Sequence, residues 1–150
     1  MKLAIGNDHT SIQLKASVLE HLKGRPDIIV TDLGAMEAPD PEGRDYPDYA
    51  LRIGQEVAAG TYDMGILLCG TGVGMCIAAN KVSGIRAVVC SEPYSARLSR
   101  EHNDANILCI GARVVGDELA KMILDAFLDA QHMGGRHALR VEKIMAIEGR

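Results

Sequence analysis

Aromatic side chains and clustered positive charge are both scarce in this 150-residue sequence. It has one Phe, four Tyr and no Trp, and its 16 basic residues are mixed with 20 acidic ones, which gives a net charge of −4. Nucleic-acid-binding proteins usually present clustered Lys and Arg or aromatic side chains on which bases stack. We therefore expect no nucleic-acid partner.

Long apolar runs are also missing. A membrane-spanning helix needs roughly 20 consecutive apolar residues, whereas the apolar runs here, such as residues 66–68, are only a few residues long. The segment 1–9 reaches charged residues early and contains no apolar core of a signal peptide. The sequence therefore predicts a cytoplasmic protein with no membrane partner.

Paired cysteines are absent as well. The four cysteines, at positions 69, 76, 90 and 109, include no Cys-x-x-Cys pair. In a cytoplasmic chain this spacing argues against a zinc site and against a disulfide framework. We expect no bound metal ion, and we interpret the cysteines by default as reduced thiols in or near the core.

Short apolar runs alternate with amphipathic stretches along the whole chain, which predicts one α/β domain over residues 1–150. The predicted strands are residues 2–6, 28–32, 64–68, 86–90 and 106–110. Strands that are apolar on both faces, each followed by a helix, indicate a parallel sheet between two helix layers, a Rossmann-like three-layer sandwich. Right-handed crossovers favour the strand order 2-1-3-4-5, with a ligand site beyond the carboxyl ends of strands one and three.

A glycine-rich loop follows the third predicted strand. Gly70, Gly72 and Gly74 occupy alternate positions and allow backbone N–H groups to point toward one anion, a phosphate or a transient oxyanion. The alternative is a tight strand-to-helix turn that needs glycine only for packing. A dinucleotide site is disfavoured, because Met75 stands where the third glycine of that fingerprint belongs.

Several side chains with useful chemistry are predicted near this loop. Cys69 precedes it, and a thiol surrounded by N–H donors ionises more readily than an ordinary cysteine. Asp8 and His9 end strand one on the same rim, although such pairs are often purely structural. Other candidates further along the chain are His102, Asn103, Arg136 and Arg140, which could equally be solvated. Two arginines four residues apart on a helix suit a phosphate dianion.

Together these segments resemble the type B ribose-5-phosphate isomerases, a family that also includes the galactose-6-phosphate isomerase subunits. The resemblance covers essentially the whole chain. It is carried by Asp8-His9 and by residues 45–47, 65–74, 78–81, 84–96, 102–104 and 134–137. It implies an aldose–ketose isomerase that interconverts ribose 5-phosphate and ribulose 5-phosphate through an enediolate, with no cofactor and no metal ion.

The resemblance also implies roles for individual residues. Cys69 would be the base, His102 would be the acid that opens the sugar ring, and Thr71 would belong to the catalytic set. The implied substrate-binding residues are Asp8, His9, Gly70, Gly72, Val73, Gly74, Asn103, Arg113, Arg136 and Arg140. Backbone N–H groups of the loop would hold the enediolate oxygens, and the arginines would hold the phosphate. The implied assembly is a homo-oligomer, a dimer or tetramer, with active sites shared between subunits.

Two alternatives remain open from the sequence. The same chemistry could act on a hexose phosphate, either allose 6-phosphate or galactose 6-phosphate, since residues 35–43 form a loop that looks long for the family and Asn7 is unusual beside it. A catalytically silent phosphate- or nucleotide-binding module is the other alternative.

Overall fold

Five parallel strands form one sheet in the computed structural model, which describes residues 1–149. The strands are β1 Lys2–Asn7, β2 Ile29–Asp32, β3 Met64–Cys69, β4 Ala87–Val89 and β5 Ile107–Gly111. Their aliphatic residues are buried on both faces in β3 and β5, as expected for central strands of a covered parallel sheet. The predicted fold class is confirmed.

The predicted strand order is wrong at one edge of the sheet. The observed order is β2-β1-β3-β5-β4, so β5 and not β4 pairs with β3. β5 has five residues, all buried, whereas β4 has three and Val89 at its end is 44% exposed. The longer, fully apolar strand therefore takes the central position and the short strand forms the edge.

Residues 1–149 contain six α-helices: α1 Ile12–Leu22, α2 Tyr46–Ala58, α3 Val73–Ala79, α4 Pro93–Asn103, α5 Asp117–Leu128 and α6 Arg136–Met145. The core on one face includes residues of α1, α4 and α5, and the core on the other face includes residues of α2 and α3. Right-handed crossovers that run in opposite directions place their helices on opposite faces. Because α4 shares a face with α1, the β4-to-β5 connection runs back toward the centre, which explains the strand order.

A buried ion pair fixes the loop that follows β2. Lys15 of α1 is only 4% exposed, and its Nζ donates to Asp32 Oδ2 at 2.9 Å and to the Ala35 carbonyl at 2.7 Å. The backbone N–H of Ala35 donates to the Asn7 carbonyl at 3.0 Å. This network ties the loop to the carboxyl end of β1.

None of the helices within residues 1–149 is both long enough and apolar enough to span a membrane.

Candidate active site

Cys69 ends β3 at the carboxyl edge of the sheet, with its side chain buried. Its Sγ accepts a hydrogen bond from the backbone N–H of Gly72 at 3.1 Å. Gly72 has φ +78°, a left-handed conformation that glycine adopts without strain and that turns its N–H toward the sulfur. Among the described residues the glycine-rich loop therefore gives the sulfur one backbone hydrogen-bond donor, whereas the sequence predicted several.

The residues that follow β5 form hydrogen bonds with the start of the glycine-rich loop. The N–H groups of Ala112 and Arg113 donate to the carbonyls of Cys69 and Gly70 at 2.8 and 3.0 Å. A Cβ on Gly111 would lie only 2.6 Å from the backbone carbonyl carbon and oxygen of Thr71. Gly111 is thus required for the close approach, and no motif in the sequence identifies it.

Asp8 lies next to Cys69 because β1 and β3 are neighbours. The Asp8 N–H donates to the Leu68 carbonyl at 3.1 Å, and the Asp8 carboxylate accepts from the Thr10 N–H at 2.9 Å and the Thr10 hydroxyl at 2.6 Å. Asp8 is 6% exposed, whereas His9 is exposed at the rim. The Asp8–His9 pair follows the carboxyl end of β1 beside β3, the position that the sequence predicted.

Two further predicted residues belong to the same edge. The Thr71 hydroxyl oxygen accepts a hydrogen bond from the Val73 N–H at 3.3 Å and is exposed. Arg113 is exposed, and a Cβ on Gly70 would lie 3.7 Å from its Cδ. The carboxyl-edge group defined here contains Asp8, His9, Cys69, Gly70, Thr71, Gly72, Val73, Gly74 and Arg113.

The remaining predicted residues lie at the opposite edge of the sheet. His102 and Asn103 end α4, just before β5 begins, and Arg136 starts α6. Ile107 of β5 pairs with Gly65, four residues before Cys69 in β3, which is about 13 Å along the strand. The structure therefore does not bring this amino-edge group, His102, Asn103, Arg136 and Arg140, to Cys69 of the same chain.

The amino-edge group is organised around two stacked imidazole rings. The rings of His102 and His137 are 4.1 Å apart between centroids and nearly parallel, at 4°. His137 is 5% exposed, and its Nδ1 has no hydrogen-bond partner within the described residues. Burial, with the nearby His102, Arg136 and Arg140, lowers the pKa of His137. The exposed Arg136 and Arg140 side chains make this edge suitable for an anion.

Residues 3–144 match the family described as Ribose/Galactose Isomerase. The chain belongs to this family. It is 58% identical over 149 residues to ribose-5-phosphate isomerase B of Escherichia coli, covering 99% of this chain and 97% of that protein. It is 46% identical to D-erythrulose-4-phosphate isomerase of Pectobacterium atrosepticum, covering 96% and 93%.

Solved structures of the ribose/galactose isomerase family have the same fold. The structure of Clostridium thermocellum ribose-5-phosphate isomerase B superposes with a TM-score of 0.93 at 51% identity, covering 99% of this chain and 98% of that one. These comparisons confirm the family resemblance and the enzyme class, an aldose–ketose isomerase, that the sequence motifs predicted.

In this member of the ribose/galactose isomerase family, the long loop after β2 forms one wall of a groove of about 540 Å³ beside His9. The lining residues are His9, Ala38, Pro39, Asp40, Gly43, Arg44 and Asp45. The Asp40 carboxylate is held by the Tyr49 hydroxyl and by Arg44 Nε at 3.4 Å. The loop is therefore anchored at the rim of the carboxyl-edge group.

Asn7 lies beneath the same loop. It is fully buried, and its Nδ2 donates to the Asp8 carbonyl at 2.8 Å. A Cβ on Gly34 would clash with its Oδ1, so the loop backbone passes directly over the amide. Asn7 thus holds the backbone of Asp8 through this hydrogen bond, and it is not among the residues that line the groove.

Proposed function

We propose that this protein interconverts ribose 5-phosphate and ribulose 5-phosphate through an enediolate, with Cys69 as the base. The observation that carries the proposal is the Cys69 sulfur in the glycine loop, 3.1 Å from the Gly72 nitrogen. Proton abstraction next to a carbonyl needs a base near the carbon and hydrogen-bond donors for the oxyanion that develops. One loop supplies both in this chain.

The proton transfer uses the carboxyl-edge group. Cys69 removes the proton from C2 of the open-chain aldose and returns it to C1. Charge on the enediolate oxygens is stabilised by N–H groups of Gly70, Gly72, Val73 and Gly74. The Gly72 and Val73 N–H groups, which donate to Cys69 Sγ and to the Thr71 hydroxyl in the free protein, turn to the substrate oxygens when the substrate binds. The Thr71 hydroxyl oxygen already accepts from Val73, so its hydrogen is available for a substrate oxygen. Asp8 and His9 contact the sugar from the neighbouring strand.

Ring opening and phosphate binding use the amino-edge group of a second subunit. His102 acts as the acid that opens the ring, Asn103 binds the sugar, and Arg136 and Arg140 bind the phosphate together with Arg113 of the first subunit. This division is supported by the opposite positions of the two groups in one chain. We propose a homo-oligomer, a dimer or tetramer, because a single chain leaves Cys69 without its acid.

The protein requires neither cofactor nor metal ion in this mechanism. A thiolate base and N–H donors perform the proton transfer, and arginines neutralise the phosphate. We also propose that residues 1–150 act as one isomerase domain, which is supported by helices packed on both faces of a single sheet. A cytoplasmic location is supported by four free cysteines, which persist in a reducing compartment.

The sugar length is the part of the proposal that most needs a test. A relative with 46% identity is named for a four-carbon substrate, and the groove beside His9 could admit a six-carbon one. We expect the purified chain alone to isomerise ribose 5-phosphate with a higher kcat/KM than allose 6-phosphate, galactose 6-phosphate or erythrulose 4-phosphate.

The assay is a direct measurement of aldose and ketose phosphates by NMR with each sugar at equal concentration. Turnover of a different sugar alone would reassign the substrate but keep the chemistry. No turnover of any sugar phosphate, with binding retained, would instead identify a silent binding module.

A further inference from the structure

The Asp8 carboxylate is held through one of its two oxygens. Oδ1 accepts from the Thr10 N–H at 2.9 Å and from the Thr10 hydroxyl at 2.6 Å. The Ser11 hydroxyl lies 3.4 Å from the same oxygen, but it gives its one hydrogen to the Leu68 carbonyl at 2.7 Å. Within residues 1–149, Oδ2 accepts no hydrogen bond and is not fully buried. Oδ2 is therefore free to accept from a hydroxyl group of a bound molecule.

The Thr10 hydroxyl fixes the plane of this carboxylate. At 2.6 Å, its bond to Asp8 Oδ1 lies in the range of a strong O–H···O⁻ hydrogen bond. The χ2 torsion of an aspartate has a broad minimum, so the backbone N–H of Thr10 alone would leave the plane loosely set. A second donor on the same oxygen restricts this rotation. The direction in which Oδ2 points thus depends on the Thr10 side chain.

Thr10 also borders the start of the glycine-rich loop. A Cβ on Gly70 would lie 3.6 Å from Thr10 Oγ1 and 3.8 Å from Arg113 Nη1. Because Gly70 has no side chain, the space beside its Cα is bordered by both the hydroxyl and the guanidinium group. Thr10 therefore lies at the carboxyl-edge group and not at a remote turn.

We propose that Thr10 is a positioning residue of the isomerase: its hydroxyl holds the Asp8 carboxylate so that Oδ2 accepts a hydrogen bond from a sugar hydroxyl. The inference rests on the proposed function, in which Asp8 contacts the sugar. Thr10 acts through Asp8 and touches no reacting atom. A contact to a sugar hydroxyl away from the reacting carbons is made equally in the bound substrate and in the transition state. Its loss raises KM and leaves kcat unchanged.

Substitutions at Thr10 separate the hydroxyl from the shape of the side chain. Thr10→Val keeps the branched shape and the backbone N–H, and it should raise KM for ribose 5-phosphate about fivefold with kcat within about twofold. Thr10→Ala should give the same increase, and Thr10→Ser should restore the KM of the unaltered chain. Thr61→Val is the matched control at an exposed threonine and should change neither constant. An unchanged KM in Thr10→Val, or no rescue by Thr10→Ser, would overturn the proposal.

A double-mutant cycle tests whether Thr10 acts through Asp8. Asp8→Ala removes the carboxylate, so adding Thr10→Val to Asp8→Ala should raise KM by less than about twofold further. A second fivefold increase in the Asp8→Ala background would show that Thr10 acts by another route, which would also overturn the proposal.

A binding measurement tests Thr10 apart from the isomerase reaction. Titration calorimetry of ribose 5-phosphate into Cys69→Ala protein gives a Kd without turnover, and this Kd should rise about fivefold when Thr10→Val is added. An equal Kd would overturn the role of Thr10 and leave the isomerase proposal intact. Binding of ribose 5-phosphate to the unaltered chain without turnover would instead overturn the proposed reaction, while the shift in Kd would still support the role of Thr10.

Discussion

Two titratable side chains, Cys69 and His137, have opposite surroundings in this fold. The Cys69 sulfur accepts a hydrogen bond from the Gly72 N–H in the glycine loop at 3.1 Å. His137 is buried against another imidazole and beside two guanidinium groups, which favours a neutral ring. The Cys69 contact is made within its own loop, whereas His137 is buried by a tertiary contact with His102, and both can be tested with single substitutions.

Replacement of Cys69 tests the base. Cys69→Ala should lower kcat for ribose 5-phosphate by about 10³-fold or more, because no other group on the loop can remove the C2 proton. Cys90→Ala, on the other face of the core, should keep most of the activity. In heavy water, the unaltered enzyme should place deuterium on C1 of the ketose. Retained activity in Cys69→Ala would remove the thiol from the mechanism.

The buried imidazole predicts a loss of stability in mild acid. The folded protein lowers the pKa of His137 below its usual 6.5, so the unfolded chain binds more protons below about pH 6.5. The free energy of unfolding must then fall as the pH drops through this range. Urea midpoints at pH 7.5 and 5.5 should differ more for the unaltered protein than for His137→Gln. An identical pH dependence would show that His137 is not the group responsible.

At the scale of secondary-structure elements, the loop after β2 depends on a lysine that is almost fully buried. Lys15→Met would remove the partner of Asp32 and of the Ala35 carbonyl, and it should lower the free energy of unfolding by about 3 kcal/mol. The control is Lys23→Met, since Lys23 and Glu20 are each more than 70% exposed on the same helix.

That control should change the unfolding free energy by at most about 1 kcal/mol. Both values are read from urea denaturation curves followed by circular dichroism. Equal effects of the two substitutions would mean that burial of Lys15 adds nothing to the stability of the loop.

The contact between β5 and the glycine loop is a second element-scale test. Gly111→Ala places a Cβ 2.6 Å from the Thr71 backbone, so the loop must shift away from Cys69. We expect kcat to fall by about 100-fold in a protein that still folds, because misplaced oxyanion donors cost about this much. Gly116→Ala has open space around its Cβ and should remain active. Full activity of Gly111→Ala would show that the loop tolerates displacement.

The strands could be predicted from the sequence, but the order of the last two in the sheet could not. Apolar runs identified all five strands and the position of Cys69 beyond β3, because burial on both faces leaves a clear pattern. The face on which α4 packs could not be predicted, since its buried residues are only small or polar, Ala96 and Ser99. Gly111 was also missed, because close approach to Thr71 depends on two segments far apart in sequence.

At the scale of the whole molecule, the two groups of site residues lie at opposite edges of one sheet. If each active site combines Cys69 of one subunit with Arg136 of another, a hybrid of two inactive variants has one intact site. Mixing Cys69→Ala and Arg136→Ala proteins under conditions of subunit exchange should restore about one quarter of the activity per chain. Mass spectrometry confirms the exchange, and absence of rescue in exchanged samples would show that each site belongs to a single chain.

The separation of the carboxyl-edge and amino-edge groups also bears on how such a gene can diverge after duplication. If subunits share each active site as proposed, one copy can lose Cys69 and the other can lose Arg136, and their heteromer still holds one complete site. Each copy then depends on the other, although neither has gained a new residue. Under the proposed sharing of sites between subunits, a sheet with half a site at each edge thus permits a two-gene enzyme by loss alone.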